Sequence, residues 1–444
     1  MTKKTGDVSE KKILLELTNN CCIFAKKVKK TKQDIMAKGT KTTGKGLSIF
    51  DIVKKCDDSA ELLSESKTAV IPDYISTGWY ILNAAMTGSL FKGAPASRVV
   101  TLCGESGVGK SYLAVSICRE AQKKGYTPIY MDSEGAIDTE FVERLGCDAS
   151  NFIIKQVTTI TEVSSFMANI LKEANSVPVE ERPKIVFVLD SLGNLTSAKE
   201  LNDTIEANQK RDMTKQQEVK ALFRTNATAL AKAGALFIVN SHVYKTQDLF
   251  AKTIVSGGSG IQYNSSVTLM LSTAKLDDKE SDKIMQQKVG EYVKTGVIVT
   301  AKTEKSRFTI PQRVKFQIPF FKAPNPYVGL EAYLTWDNSG IVRGEMLTEK
   351  EYGKLSDNDK QNCYPMTDDT GKPAYARPKE TSRKIVVKHL GCELPVTELF
   401  TSKVITDEIL HNLDETVIKP LFELPSIDSN DDIDELINVD SANE

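Results

Sequence analysis

The chain has 444 residues, 40% of them hydrophobic and 26% charged, with a formal net charge of −1. Those values are ordinary for a globular protein of one large α/β domain with appendages, or of two domains. The opening MTKKTGDVSEKK is too polar for a secretory signal, and no apolar run approaches the ~20 residues of a membrane span. Eight scattered Cys with no CxxC pair and only three His argue against a zinc cluster and for a reducing, cytoplasmic compartment.

In chain order, residues 1–65 read first as a Lys-rich arm. Residues 1–46 carry 12 Lys against 4 acidic residues. Gly39 to Gly46 reads as linker, and Leu47–Lys55 as a short amphipathic piece. A core follows at 66–336, where short apolar runs alternate with helical patterns. The runs are Arg98–Leu102, Pro128–Met131, Lys184–Leu189, Ala235–Val239, Val267–Leu271, Thr295–Ala301 and Arg313–Ile318. Helical periodicity covers Lys110–Lys124, Thr159–Ala174 and Lys215–Lys232. Runs such as Ile185-Val186-Phe187-Val188-Leu189 are continuously apolar, as central strands covered on both faces must be. The pattern predicts an α/β fold with a mostly parallel sheet, turning mixed where the later strands follow one another directly. Residues 337–425 form a small C-terminal region interrupted by Pro365, Pro373 and Pro378. Residues 426–444 are an acidic tail with seven carboxylates and no basic residue. Tails of opposite sign around a neutral body hint at a polyanionic partner.

The chemistry begins at Gly104-Glu105-Ser106-Gly107-Val108-Gly109-Lys110-Ser111, a G-x4-G-K-S phosphate loop between a predicted strand and a predicted helix. Its backbone N–H groups and the helix N-terminus suit ATP phosphates. Lys110 neutralises the β- and γ-phosphates and the Ser111 hydroxyl ligates Mg²⁺. The strand ending in Asp190 has the form of a second Mg²⁺ element, its carboxylate holding the metal's water shell. Glu134 follows another strand end by a few residues. From spacing alone it reads equally as the carboxylate that orients the attacking water or as a surface loop acid.

Two stretches follow strand ends and look like DNA-contacting loops. Thr196–Thr214 carries Lys199, Lys210 and Arg211. Val243–Gly258 carries Tyr244, Lys245, Phe250 and Lys252 and closes in Gly257-Gly258. Cations for phosphates, with aromatic side chains for bases, are what single-strand binding requires.

These pieces, in this order, resemble the RecA-like recombinases, most of all the UvsX-type enzymes of T-even-like phages. The resemblance runs from about residue 60 to 335, through Ile75-Ser-Thr-Gly78, Met131-Asp-Ser-Glu134, Asp190-Ser-Leu-Gly-Asn-Leu195, Asn240-Ser-His242, Gly257-Gly-Ser-Gly260 and Glu304-Lys-Ser-Arg307. It implies a RecA-like P-loop ATPase core with a twisted, mostly parallel sheet flanked by helices. Glu134 becomes the catalytic carboxylate and His242 the γ-phosphate sensor. Tyr112, Asp138 and Phe141 join the nucleotide pocket, with Phe141 stacking on adenine. Lys305 and Arg307 resemble a basic pair that reaches a neighbouring protomer's γ-phosphate. Leu62-Leu63 and Val70-Ile71 look like a protomer-docking segment. The implied function is an ATP-dependent recombinase forming helical filaments on single-stranded DNA and pairing it with homologous duplex DNA. A loader protein and a single-strand-binding protein would assist, and no membrane is involved. A ring helicase or a recombination mediator ATPase on the same core is the alternative. The Lys-rich arm departs from the phage pattern.

Overall fold

A computed structural model describes residues 48–58, 60–66, 70–205, 214–245, 253–255, 259–273, 285–288, 291–294, 296–320 and 322–424. It divides into two compact units, Met1–Ser66 and Lys67–Glu444. In the first, helix α1 (Ile49–Cys56) starts at a capping box, the Ser48 hydroxyl accepting from the Asp51 N–H and the Asp51 carboxylate from the Ser48 N–H. It exposes Ile49, Ile52 and Val53 along one face. Most of the Lys-rich arm and all of the acidic tail lie outside the described residues.

The second unit opens with β1 (Tyr74–Ile75), α2 (Tyr80–Thr87), β2 (Ala94–Pro95), β3 (Val99–Gly104), α3 (Lys110–Lys123), β4 (Thr127–Asp132), α4 (Thr139–Arg144) and β5 (Ile153–Gln156). It continues with α5 (Ile160–Ser176), β6 (Ile185–Asp190), α6 (Ala198–Ile205), α7 (Thr214–Ala233), β7 (Leu236–Lys245), β8 (Thr253–Val255) and α8 (Ser259–Asn264). Then come β9 (Val267–Thr273), a hairpin of β10 (Met285–Lys288) and β11 (Glu291–Lys294), β12 (Gly296–Ser306) and β13 (Arg313–Pro319).

The main sheet has the order β13-β12-β9-β3-β7-β6-β4-β5. From β9 to β5 all neighbours are parallel, while β12 and β13 are antiparallel. The α/β class and mostly parallel sheet expected from the sequence are therefore present. The periodicity explains both faces. In β6, Val186 and Val188 join α2 and α3 in one core, while Ile185, Phe187 and Leu189 join α5 and α7 in the other.

Four features differ from the reading of the sequence. The short edge strand β5 carries exposed Ile153 and Ile154 and pairs with β4 alone, so no buried run announced it. The first proposed DNA loop contains helix α6. In the second, β7 runs on to Lys245 and pairs antiparallel with β8 from Val243↔Val255 to Lys245↔Thr253. The C-terminal region is a five-stranded sheet of order β15-β16-β14-β17-β18. Its strands are β14 (Ile341–Thr348), β15 (Tyr364–Thr367), β16 (Pro373–Pro378), β17 (Lys384–Val387) and β18 (Cys392–Pro395). Pro365, Pro373 and Pro378 lie within or at the ends of these short strands, where a missing N–H is tolerated.

Helix α9 (Asp407–Leu413) and the turn after it anchor this region to the core. Buried Asp414 accepts the Leu90 N–H at 2.6 Å and the Ser89 hydroxyl at 2.8 Å. Replacing it with Ala leaves two buried donors without an acceptor, so Asp414→Ala is expected to lower stability by about 3 kcal/mol. Denaturant unfolding of parent and variant measures this directly.

Candidate ATPase site

Strand β3 delivers the phosphate loop at its C-terminal end. Gly107 and Gly109 hold φ of +76° and +100°, a backbone open to glycine at little cost. A Cβ at Gly109 would also meet Ile318 Cδ1 at 2.4 Å. Val108 is buried, whereas Glu105 and Ser106 are exposed. Ser111 stands in the first turn of α3, beside the buried Lys110.

Lys110 donates to the carbonyls of Gly104 at 3.0 Å and Glu105 at 2.9 Å, and its Nζ lies 3.4 Å from His242 Nδ1. Burial lowers its pKa, and the carboxylates of Asp190 and Glu134 oppose that shift. A dianionic phosphate is a better partner for a desolvated ammonium than two carbonyls.

The other members arrive from strands that are not sequence neighbours. β6 and β7 lie between β4 and β3, so Glu134, Asp190, His242 and Lys110 meet only because four parallel strands end along one edge. Such an edge, where strand order departs from chain order, is where open α/β sheets bind ligands. His242 is in register with Gly104 and sits within β7, which continues three residues beyond it to Lys245. Its Nε2 is 2.8 Å from Glu134 Oε1. With Lys110 donating at Nδ1, the ring must present Nε2–H to the carboxylate. Burial alone would raise the Glu134 pKa. Hydrogen bonds from Ser191 and His242, with the charge of Lys110, outweigh it and hold the carboxyl below its ordinary value.

Sequence reasoning missed the frame that aims Glu134. Buried Asp132 accepts the backbone N–H groups of Glu134 and Gly135 at 2.9 Å each and of Ala136 at 3.3 Å. Ser133 Oγ donates to the Ser191 carbonyl at 2.9 Å and accepts the Ser191 N–H at 2.9 Å, and the Ser191 hydroxyl donates to Glu134. The Asp190–Ser191 peptide is cis. A signal was visible: β4 and β6 both run into Asp-Ser, and Asp132 pairs with Asp190 in register. Asp190 itself is buried and accepts the Tyr130 phenol at 2.5 Å. Burial and the Asp190 charge push the Tyr130 pKa well up, so the phenol stays a donor.

A serine hydroxyl and a buried carboxylate are hard oxygen donors that fit Mg²⁺, which keeps most of its shell as water and phosphate oxygens. Among the described residues no group of three His, Cys, Asp or Glu could hold a metal alone.

The remaining candidates divide. Asp138 caps α4, accepting the Phe141 N–H at 2.7 Å. Phe141 is half-buried and stands edge-on to Tyr112 at 6.5 Å, and the Tyr112 hydroxyl donates to the Lys322 carbonyl. Lys199 is exposed on α6, Tyr244 is exposed on β7, and Lys245 ends that strand. Lys210, Arg211, Phe250, Lys252, Gly257 and Gly258 lie outside the described residues.

Lys305 and Arg307 are at the opposite edge of the sheet. Lys305 pairs with Thr268, which pairs with Thr101 on β3, three residues before the phosphate loop and about 10 Å back along the strand. The Arg307 N–H donates to the Ser266 carbonyl, one step further back. Burial lowers the Lys305 pKa and the Arg307 charge adds to it. Arg98, which the sequence reading passed over, is shifted down by burial and then by Arg307. The cations there form a like-charged cluster suited to an anion.

Residues 18–317 match the family described as RecA N-terminal domain. The "Recombination and repair protein" of Enterobacteria phage T4 is 26% identical over 272 residues, which is 60% of this chain and 65% of that protein. The plasmid "Protein RecA" of Lactococcus lactis subsp. lactis is 25% identical over 224 residues, 50% of this chain and 62% of its own length. The RecA protein of Crocosphaera subtropica is 26% identical over 253 residues, 55% and 64% of the two chains. The chain thus spans just under two thirds of each of these relatives. With the family match covering well over half its length on a sheet of this order, the chain belongs to the RecA family.

Proposed function

We propose that this protein is a DNA-dependent ATPase that assembles into helical filaments on single-stranded DNA and drives homologous pairing and strand exchange. The observation that carries the reading is the line Lys110–His242–Glu134, with contacts of 3.4 and 2.8 Å across four strand ends. It links the phosphate-loop cation to the candidate base through a residue on the strand that enters the second DNA segment.

In this mechanism Lys110 leaves the Gly104 and Glu105 carbonyls for the β- and γ-phosphates, which also withdraws it from His242. The freed imidazole then reports γ-phosphate along β7 toward Tyr244 and Lys245. Glu134, aimed by Asp132 and Ser191, orients the attacking water. Mg²⁺, held by the Ser111 hydroxyl and through water by Asp190, would neutralise phosphate charge. Tyr112, Asp138 and Phe141 would border the base, with Phe141 stacking on adenine. Lys305 and Arg307 would act on a neighbour's nucleotide. Leu62, Leu63 and Val70, all exposed, would serve protomer docking. Single-stranded DNA would be gripped by Lys199, Lys210, Arg211, Tyr244, Lys245, Phe250 and Lys252, and the small residues Gly257 and Gly258 would let backbone approach it. A loader, a single-strand-binding protein and a bacterial cytoplasm complete the setting. Among the described residues no helix is long and apolar enough to cross a membrane.

A ring helicase or mediator ATPase would share the core, but the paired Glu134 and the Lys305–Arg307 cluster favour a filament. Electron microscopy with single-stranded DNA and a non-hydrolysable ATP analogue should show open helical filaments; closed rings would overturn the reading. Glu134→Gln should retain nucleotide binding and slow DNA-dependent hydrolysis by about 10²-fold or more. Its DNA complex should also outlast the parent's. A variant that hydrolyses ATP and releases DNA at parental rates removes Glu134 from the chemistry.

A further inference from the structure

Three neighbouring parallel strands carry a polar side chain at one level of the sheet. Asp132 on β4 is in register with Asp190 on β6. β6 pairs with β7 at Leu189↔Val239, which brings Asn240 level with Asp190. Strand alternation turns Asp190 and Asn240 to the face where Val188 and Ile238 meet α3, the side of the phosphate loop. All three polar residues are essentially inaccessible to solvent. Two have their partners: Asp132 holds the Glu134 turn and Asp190 receives the Tyr130 phenol. Asn240 is different. Neither its Nδ2 nor its Oδ1 has a hydrogen-bond partner among the described residues.

A fully buried carboxamide with both ends unpaired is costly, and such orphans mark places where a bound water or ion completes the site. This one lies beside the carboxylate proposed to hold a metal's water shell, and in register with Leu102 on the strand that becomes the phosphate loop. Tyr130 flanks the same carboxylate from one pleat below.

We infer that Tyr130 and Asn240 are positioning residues for the divalent cation at Asp190, an inference that rests on the proposed ATP–Mg²⁺ site. Tyr130 ties down one carboxylate oxygen and leaves the other toward the metal's water. Asn240 offers that water a donor and an acceptor from the far side. Partners one step removed from a metal typically change its affinity by about 10–100-fold when lost.

The test uses the full chain, Mn²⁺ as the probe, and two near-isosteric variants, Tyr130→Phe and Asn240→Leu. Mn²⁺ affinity with ADP present is read by electron paramagnetic resonance, and binding of a fluorescent ADP is read in EDTA. Each variant should bind Mn²⁺ about tenfold more weakly while holding ADP in EDTA within about twofold of the parent. Asn240→Leu should at the same time melt no lower than the parent without metal, since it removes an unpaired buried group. That combination is not produced by a merely structural role. Mn²⁺ affinity within about twofold of the parent removes that residue from the role, as does an equal loss with and without metal. Should Tyr130→Phe fail to fold, Asn240→Leu decides alone. A parent that binds no Mn²⁺–ADP overturns the proposed function itself, an outcome distinct from a parent that binds and variants that match it.

Discussion

Lys110→Ala should lose ATP hydrolysis by a factor on the order of 10³ or more, and with it nucleotide-dependent DNA binding. Lys110 is the cation nearest to where the loop would hold phosphates, and it is buried, so its charge acts through a poorly screened medium. Alanine cannot replace that charge, and water admitted to the gap screens whatever remains. The fold should survive. The ammonium's two carbonyl partners, those of Gly104 and Glu105, belong to the loop itself, and α3 keeps Leu113, Val115 and Ile117 in the core. A melting temperature close to the parent's, beside a turnover near zero, is the expected pair of results. Near-normal turnover would sink the phosphate-loop assignment.

Arg307→Ala should be as inactive as Lys110→Ala, yet an equal mixture of the two should recover activity. The geometry behind this is the separation of the two clusters. The phosphate loop and Glu134 lie at the C-terminal edge of the parallel strands. Lys305 and Arg307 lie at the N-terminal edge, level with Thr268 and Ser266. On that placement the prediction is that Arg307 serves the γ-phosphate of another protomer and not its own. Cations supplied across an interface are worth about 10³–10⁵ in phosphoryl transfer, and they make hydrolysis conditional on assembly. In a head-to-tail filament built at random from both variants, about one site in four has an intact Lys110 facing an intact Arg307. DNA-dependent ATPase of the mixture should therefore approach a quarter of the parent's. If filaments form and the mixture stays as inactive as its parts, Arg307 acts within its own protomer or only in the fold.

By itself the sequence determined the class of the protein. Continuous apolar runs separated by helical periods specify strands buried on both faces, and Val99–Gly104, Thr127–Asp132 and Ile185–Asp190 appear within two residues of where the runs predicted them. The glycines of the phosphate loop are legible because φ near +76° and +100° is a local demand that few other residues meet. The order of motifs carries the family, which the match over residues 18–317 shows.

Tertiary structure decided what depends on neighbours distant in sequence. Whether Glu134 is a surface acid or part of a site turned on β4 and β6 lying side by side, so that Asp132, Ser133 and Ser191 could hold it against His242. Periodicity reports which face of a strand is buried and is silent on which strand lies beside it. Residues 243–245 read as loop because their strand character comes from pairing with 253–255 and not from burial. Strand β5 escaped notice for the same reason, having one neighbour and two exposed isoleucines. The placement of Lys305 and Arg307 opposite the phosphate loop was equally hidden. It follows from β12 running antiparallel to β9, and it puts the two basic residues at the edge opposite the phosphate loop.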